Sequence, residues 1–132
     1  MKQIQKATGV SNLEFMELDL NDLNSVKKFA TQFNAKYDRL DLLLNNAGIM
    51  ALQKRCESAQ GYEKHLAVNH FGHFLLTKLL MEKLKVPETS RIVNVSSMAH
   101  CVFQKGYLPR EMDLDDLHIR KKDAYIPWKA YG

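Results

Sequence analysis

Apolar residues change their spacing along the chain, and the changes mark out alternating strands and helices. Leu13, Phe15, Met16 and Leu18 crowd together with glutamates between them, which predicts a strand over 13–18. It ends at Asp19-Leu20, and Asn21 or Asp22 supplies a helix N-cap. Val26, Phe29, Ala30, Phe33 and Tyr37 then recur at the spacing of one helical face. After a break at Asp38-Arg39, the leucine run Leu42-Leu43-Leu44 leads into Asn45-Asn46-Ala47-Gly48. Such a run predicts a strand over 40–44 buried on both faces, as parallel sheets require. A loop through Gly61 precedes a long helix over 62–84 carrying Leu66, Leu75, Leu76, Leu79, Leu80 and Leu84. Gly72 is a point of close packing on it, and Pro87 marks its end. Residues 91–97 form a third strand. From Met98 to Ile126 the pattern dissolves into a loop long enough to suggest function or a lid. Pro127 suits the first turn of a last helix.

This order predicts an α/β fold of the doubly wound, Rossmann type, built on a parallel sheet. Three strands cannot give a well-covered parallel sheet. Residues 1–132 therefore read as the central portion of one larger domain, from the tail of one helix to the start of another. Composition adds limits rather than detail. With 132 residues there is room for one domain, and 45% hydrophobic with 26% charged residues suits a globular chain. No apolar run approaches the ~18 residues of a transmembrane helix, and the first residues lack the apolar core of a signal peptide. Cys56 and Cys101 make no disulfide framework, which points to a reducing compartment. The net charge of +4 is mild and scattered. Arg120-Lys121-Lys122 follows Asp113, Asp115 and Asp116, the pattern of a solvated loop rather than a nucleic-acid footprint.

Polar residues that could carry chemistry cluster at the carboxyl ends of the predicted strands, where doubly wound folds place their crevice. Asp19 follows the first strand, Asn45-Asn46-Ala47-Gly48 the second, and Ser96-Ser97 closes the third. Asn69 lies within the long helix between Val68 and His70-Phe71, and a polar side chain there needs a partner if buried. His70 and His73 share a helical face, but no cysteine or carboxylate of the helix completes a metal site. His65, His70 and His73 are assigned surface or packing roles.

Taken together, Leu18-Asp19-Leu20, Leu44-Asn45-Asn46-Ala47-Gly48, Val68-Asn69-His70-Phe71-Gly72-His73-Phe74, Arg91-Ile92-Val93-Asn94-Val95-Ser96-Ser97 and Ala130-Tyr131-Gly132 resemble the short-chain dehydrogenase/reductase superfamily, in its retinol-dehydrogenase-like branch. The resemblance implies an NAD(P)-dependent oxidoreductase interconverting an alcohol and a carbonyl, with retinol/retinal or another lipophilic compound as substrate. It implies NADP more than NAD. Asp19 and Leu20 then meet the cofactor's adenine side, and Asn46, Ala47 and Gly48 line the cofactor. Asn69 holds a proton-relay water, Ser97 orients the substrate carbonyl, and Tyr131 protonates it. No metal and no nucleic acid are implied. The setting is intracellular, either cytoplasmic or on the cytosol-facing endoplasmic reticulum membrane, because relatives often carry an upstream anchor.

Two family features have no counterpart in these residues: the glycine-rich phosphate turn, and the lysine one helical turn beyond the tyrosine. A tyrosine with an ordinary pKa of about 10 is a poor proton donor until a cation stabilises its phenolate. The chain by itself is therefore expected to be inactive and marginally folded. In the family's sheet order, two strands absent here separate the 13–18 strand from the 40–44 strand. The rival reading is a non-catalytic fragment or isoform acting, if at all, as a binding module. Tyr125-Ile126-Pro127-Trp128-Lys129 also satisfies the tyrosine-x-x-x-lysine spacing. That spacing works on a helix face, and Pro127 disfavours helix geometry at Ile126. Tyr131 is the better acid.

Overall fold

The structure, a computed structural model, describes residues 2–98 and 115–120. A short helix, α1 (Lys2–Thr8), buries none of its residues. Residues 9–19 follow without regular structure, so the strand expected over 13–18 does not form. A strand is held by hydrogen bonds to a neighbour, and the sheet among the described residues has only two strands, both later in the chain. With no strand neighbour among the described residues, this stretch stays irregular, and Phe15 is 71% exposed.

Helix α2 (Leu23–Lys36) starts from Asp22, which is the N-cap of the two candidates. Its carboxylate accepts the Asn24 N–H at 2.9 Å. Gln60 reinforces this end from a distant loop, its Oε1 accepting the Leu23 N–H at 3.0 Å and its Nε2 donating to Asp22 Oδ1 at 2.7 Å. The Gln60 bond and then the Asn24 N–H hold the Asp22 carboxyl below its ordinary range. The predicted apolar face is real: Val26 and Ala30 are buried, and Phe29, Phe33 and Tyr37 form a ring ladder along the same side.

Strands β1 (Leu42–Asn45) and β2 (Arg91–Asn94) pair in parallel, Leu43 opposite Ile92 and Asn45 opposite Asn94. The third strand is thus shorter than the expected 91–97, although the Val95 N–H still reaches the Asn45 carbonyl at 3.0 Å. The leucine run is not buried on both faces. Side chains alternate across a strand, so Leu43 packs toward the helices while Leu42 and Leu44, each 55% exposed, face away. No described element lies over that second face.

The long helix comes in three pieces: α3 (Lys64–Leu66), a π-helical turn (Ala67–Phe71) and α4 (Gly72–Leu84). It ends before Pro87, as expected. α4 packs along α2, and Val26, Ala30, Leu76 and Leu80 make the core with Leu20 and Val68. Asn34 Nδ2 donates to the Leu79 carbonyl at 3.1 Å, and the Leu40 N–H donates to the Lys83 carbonyl at 2.9 Å. These bonds fix the helices to each other and to the approach of β1. The loop and last helix expected after Met98 lie outside the described residues except for 115–120, as does Cys101. Residues 115–120 turn back onto the 55–62 loop, where Arg55 Nε donates to the His118 carbonyl at 2.8 Å and the Tyr62 and His118 rings stack. Cys56 is a free, exposed thiol. Among the described residues no helix is long and apolar enough to cross a membrane.

Gly72 is where the core is tightest. A Cβ built there would lie 2.8 Å from the Leu20 carbonyl oxygen and 2.9 Å from Leu20 Cβ. Backbone cannot yield as a flexible side chain can. Helix propensity alone favours alanine over glycine by about 1 kcal/mol. Gly72→Ala is nevertheless expected to destabilise the fold by about 1–3 kcal/mol, the scale of overpacking, read as a lower midpoint in urea denaturation.

Candidate functional site

Because β1 and β2 run parallel and in register, their carboxyl ends lie side by side. The chain leaves β1 through Asn46, Ala47 and Gly48, all exposed, and leaves β2 through Val95, Ser96 and the partly buried Ser97. Asn45 closes the last rung from inside. Only 3% exposed, it donates from Nδ2 to Asn94 Oδ1 at 2.8 Å and to Thr77 Oγ1 at 3.0 Å. It thereby ties both strand ends to α4. Sequence reasoning passed over Asn45 in favour of Asn46. The signal was there in strand parity, which puts Asn45 on the helix side with Leu43.

Asn69 is the second joint. Its Oδ1 accepts the Ile49 N–H at 2.9 Å, and its Nδ2 donates to the Ile49 carbonyl at 3.0 Å. One side-chain amide thus grips both main-chain groups of the residue after Gly48, as a strand neighbour would. Gly48 permits the approach, since a Cβ there would press to 3.2 Å from Asn69 Oδ1. Asn69 sits in the π turn, a feature often found where a helix must aim a side chain. The Asn69 carbonyl accepts His73 Nδ1–H at 3.2 Å. Burial pushes the His73 ring below its ordinary value, more than this bond raises it, and neighbouring His70 lowers it further.

Asp19 and Leu20 enter the same region through Gly72. Leu20 is buried and its side chain belongs to the core. Asp19 is exposed; its Oδ1 accepts the Asn21 N–H at 2.8 Å and its N–H donates to Ser25 Oγ at 3.0 Å. Tyr131, Tyr125 and Lys129 lie outside the described residues. The structure therefore gathers Asn46, Ala47, Gly48, Asn69 and Ser97 at one end of the sheet, with Asp19 and Leu20 alongside the start of α2.

The short chain dehydrogenase family model matches residues 1–107. The chain belongs to the short-chain dehydrogenase family. It is 50% identical to human retinol dehydrogenase 11 over 99 residues, covering 75% of this chain and 31% of that protein. It is 42% identical to mouse polyprenol dehydrogenase over 136 residues, covering 100% of this chain and 38% of that protein. The match to retinol dehydrogenase 11 fits the retinol-dehydrogenase-like branch, and the chain spans about a third of these relatives' length. Among solved structures, an uncharacterized protein from Mycobacterium paratuberculosis matches at 40% identity with a TM-score of 0.75, over 98% of this chain and 42% of that one. A protein described as a short chain dehydrogenase from Escherichia coli CFT073, complexed with NADPH, matches at 22% identity with a TM-score of 0.62, over 98% of this chain and 47% of that one. The latter shares the fold.

A short-chain dehydrogenase implies a nicotinamide dinucleotide, and the described residues fit one on two counts. The exposed Asn46–Gly48 turn offers main chain with little side-chain bulk. Separately, between residues 15–19 and the start of α2, an open cavity of about 610 Å³ is lined by Phe15, Asp19, Asp22, Asn24, Ser25 and Lys28, within the size range of small-ligand pockets.

His73 gives this end of the helix a pH dependence. Its folded value lies below the ordinary 6.5. Above pH ~6.5 the ring is neutral folded or unfolded and its contribution is intact. Below that, the unfolded chain takes up a proton that the folded chain resists, so stability falls until the folded ring also titrates. Melting temperature should therefore drop between about pH 7 and pH 5, and His73→Phe should flatten that part of the profile.

Proposed function

We propose that this chain is the central part of the catalytic domain of an NADP-dependent, alternatively NAD-dependent, oxidoreductase that interconverts a lipophilic alcohol and its carbonyl, retinol/retinal being the leading pair. The observation that carries the reading is the joint made by Asn69. It fastens the helix to the turn that begins at Asn46, at the sheet end from which Ser97 emerges. Relatives named as retinol and polyprenol dehydrogenases support the lipophilic substrate class.

When bound, the dinucleotide supplies the hydride. Asn46, Ala47 and Gly48 line it, and Asp19 with the Leu20 main chain meets its adenine side. Carbonyl reduction raises negative charge on the substrate oxygen, and oriented donors stabilise that charge. The Ser97 hydroxyl donates to this oxygen and sets its direction. Tyr131 gives the proton that completes the alcohol, and in the reverse direction takes it back. Asn69 already commits Oδ1 and one Nδ2 hydrogen to Ile49. What it offers a relay water is the second Nδ2 hydrogen and a main-chain carbonyl shared with His73.

The test is NADPH-dependent reduction of retinal, and of a long-chain prenyl aldehyde, by protein expressed from the complete coding sequence. Ser97→Ala should lower turnover roughly a hundredfold, the scale of losing one oriented donor, while Ser96→Ala costs much less. Equal losses would remove Ser97 from its role. Tyr131→Phe should abolish turnover and Tyr125→Phe should not. The reverse result would make Tyr125 the acid and Lys129 its partner.

A further inference from the structure

The most deeply buried polar pair in the described chain lies outside the chemistry assigned above. Glu63 is 1% exposed and His65 is 2% exposed. Glu63 caps α3, its Oε2 accepting the Leu66 N–H at 2.8 Å. Its Oε1 lies 2.9 Å from His65 Nδ1, and His65 Nε2 lies 3.2 Å from the Leu52 N–H. These contacts decide the tautomer. A main-chain N–H only donates, so Nε2 is the bare acceptor and Nδ1 carries the proton it gives to Glu63. A carboxylate orients an imidazole, and the imidazole holds a backbone amide.

That amide lies three residues after Ile49, the residue held by Asn69, and His65 lies four before Asn69. The helix therefore grips the Ile49–Leu52 segment at two points. Between them, Ala51 has φ +48°, the left-handed region that a residue with a Cβ enters only under constraint. Relaxation of Ala51 to ordinary backbone would swing the segment that follows the Asn46–Gly48 turn. Simple core filling does not need this arrangement, because an apolar side chain fills a core without orphaning an amide.

We propose that Glu63 and His65 are positioning residues. They form a clamp that holds the Ile49–Leu52 backbone, strained at Ala51, in the shape that a dinucleotide on the adjoining turn requires. The proposal rests on the oxidoreductase reading for its consequence but not for the clamp itself.

The test uses protein from the complete coding sequence, selectively 15N-labelled at leucine and histidine. The His65 ring should show a protonated Nδ1 and a bare Nε2. His65→Phe should speed Leu52 amide exchange at least tenfold relative to the core amides of Leu76 and Leu80, and raise the KM for NADPH several-fold more than it lowers kcat. His65→Gln, which keeps one donor and one acceptor, should recover part of both. Adding Ala51→Gly to His65→Phe should recover cofactor KM, since glycine accepts positive φ without a clamp. Leu52 exchange that only tracks Leu76 and Leu80 would reduce the pair to core packing and overturn the clamp. A freed Leu52 with unchanged KM would overturn the positioning role. Wild-type protein that neither binds NADPH nor reduces a carbonyl would sink the oxidoreductase reading instead, and the exchange and tautomer results would then decide the clamp by themselves.

Discussion

The site depends on one side-chain amide meeting one peptide unit face on. Asn69 donates to and accepts from Ile49, and this pair of bonds sets the distance between the helix and the turn leaving β1. Several other features follow from it. A Cβ at Gly48 would press to 3.2 Å from Asn69 Oδ1, so glycine eases the approach of Asn69. The π turn re-aims the helix at that point, so that Asn69 faces the turn while Leu76 and Leu80 still face α2. Gly72, just beyond, lets the helix lie against the Leu20 main chain, which brings the start of α2 to the same place. Asn69 is half-buried, and its two bonds to Ile49 keep the turn in register against the helix.

Packing is uneven around this joint. Helices α2 and α4 bury Val26 and Leu80 almost completely, at roughly 1.5–3 kcal/mol for each such side chain. On the other side of the sheet, Leu42, Leu44 and Val95 remain more than half exposed. One-sided burial leaves the parallel pair with half the apolar contact that such strands ordinarily enjoy. The helix layer therefore holds the sheet in place, through Leu43, the Asn45–Thr77 bond and the Leu40–Lys83 bond, rather than the sheet templating the helices.

Periodicity made α2 legible down to its buried face, because one amphipathic stripe against one partner is a local property. The parallel pair and its trailing Asn-Asn-Ala-Gly were legible for a similar reason: a leucine run followed by turn residues has few other uses. Residues 13–18 misled because a strand is not local. The alternation was adequate, but hydrogen bonds require a neighbour, and none is present among the described residues. The face of β1 misled likewise, since apolar character shows that burial is favourable and not that a cover exists. Within the site, Asn69 was found by its oddity in an apolar helix, whereas its partner Ile49 carried no signal at all, being gripped through its main chain. His65 was assigned a surface or packing role from the sequence, and Glu63 carried no signal. Only their three-dimensional pairing makes them interior.

Asn69→Asp tests the central claim most directly. The substitution keeps an acceptor for the Ile49 N–H but sets a second carboxylate oxygen against the Ile49 carbonyl, where Nδ2 had donated. A protonated carboxyl would donate there again. The folded state therefore favours the protonated form, the folded pKa rises above the unfolded value of about 3.9, and stability relative to wild type should recover as pH falls through that folded pKa. Denaturant unfolding of wild type and variant at about pH 7 and about pH 4.5 should show a penalty that shrinks at the lower value. A penalty of the same size at both would mean that Asn69 does not hold Ile49 through both bonds.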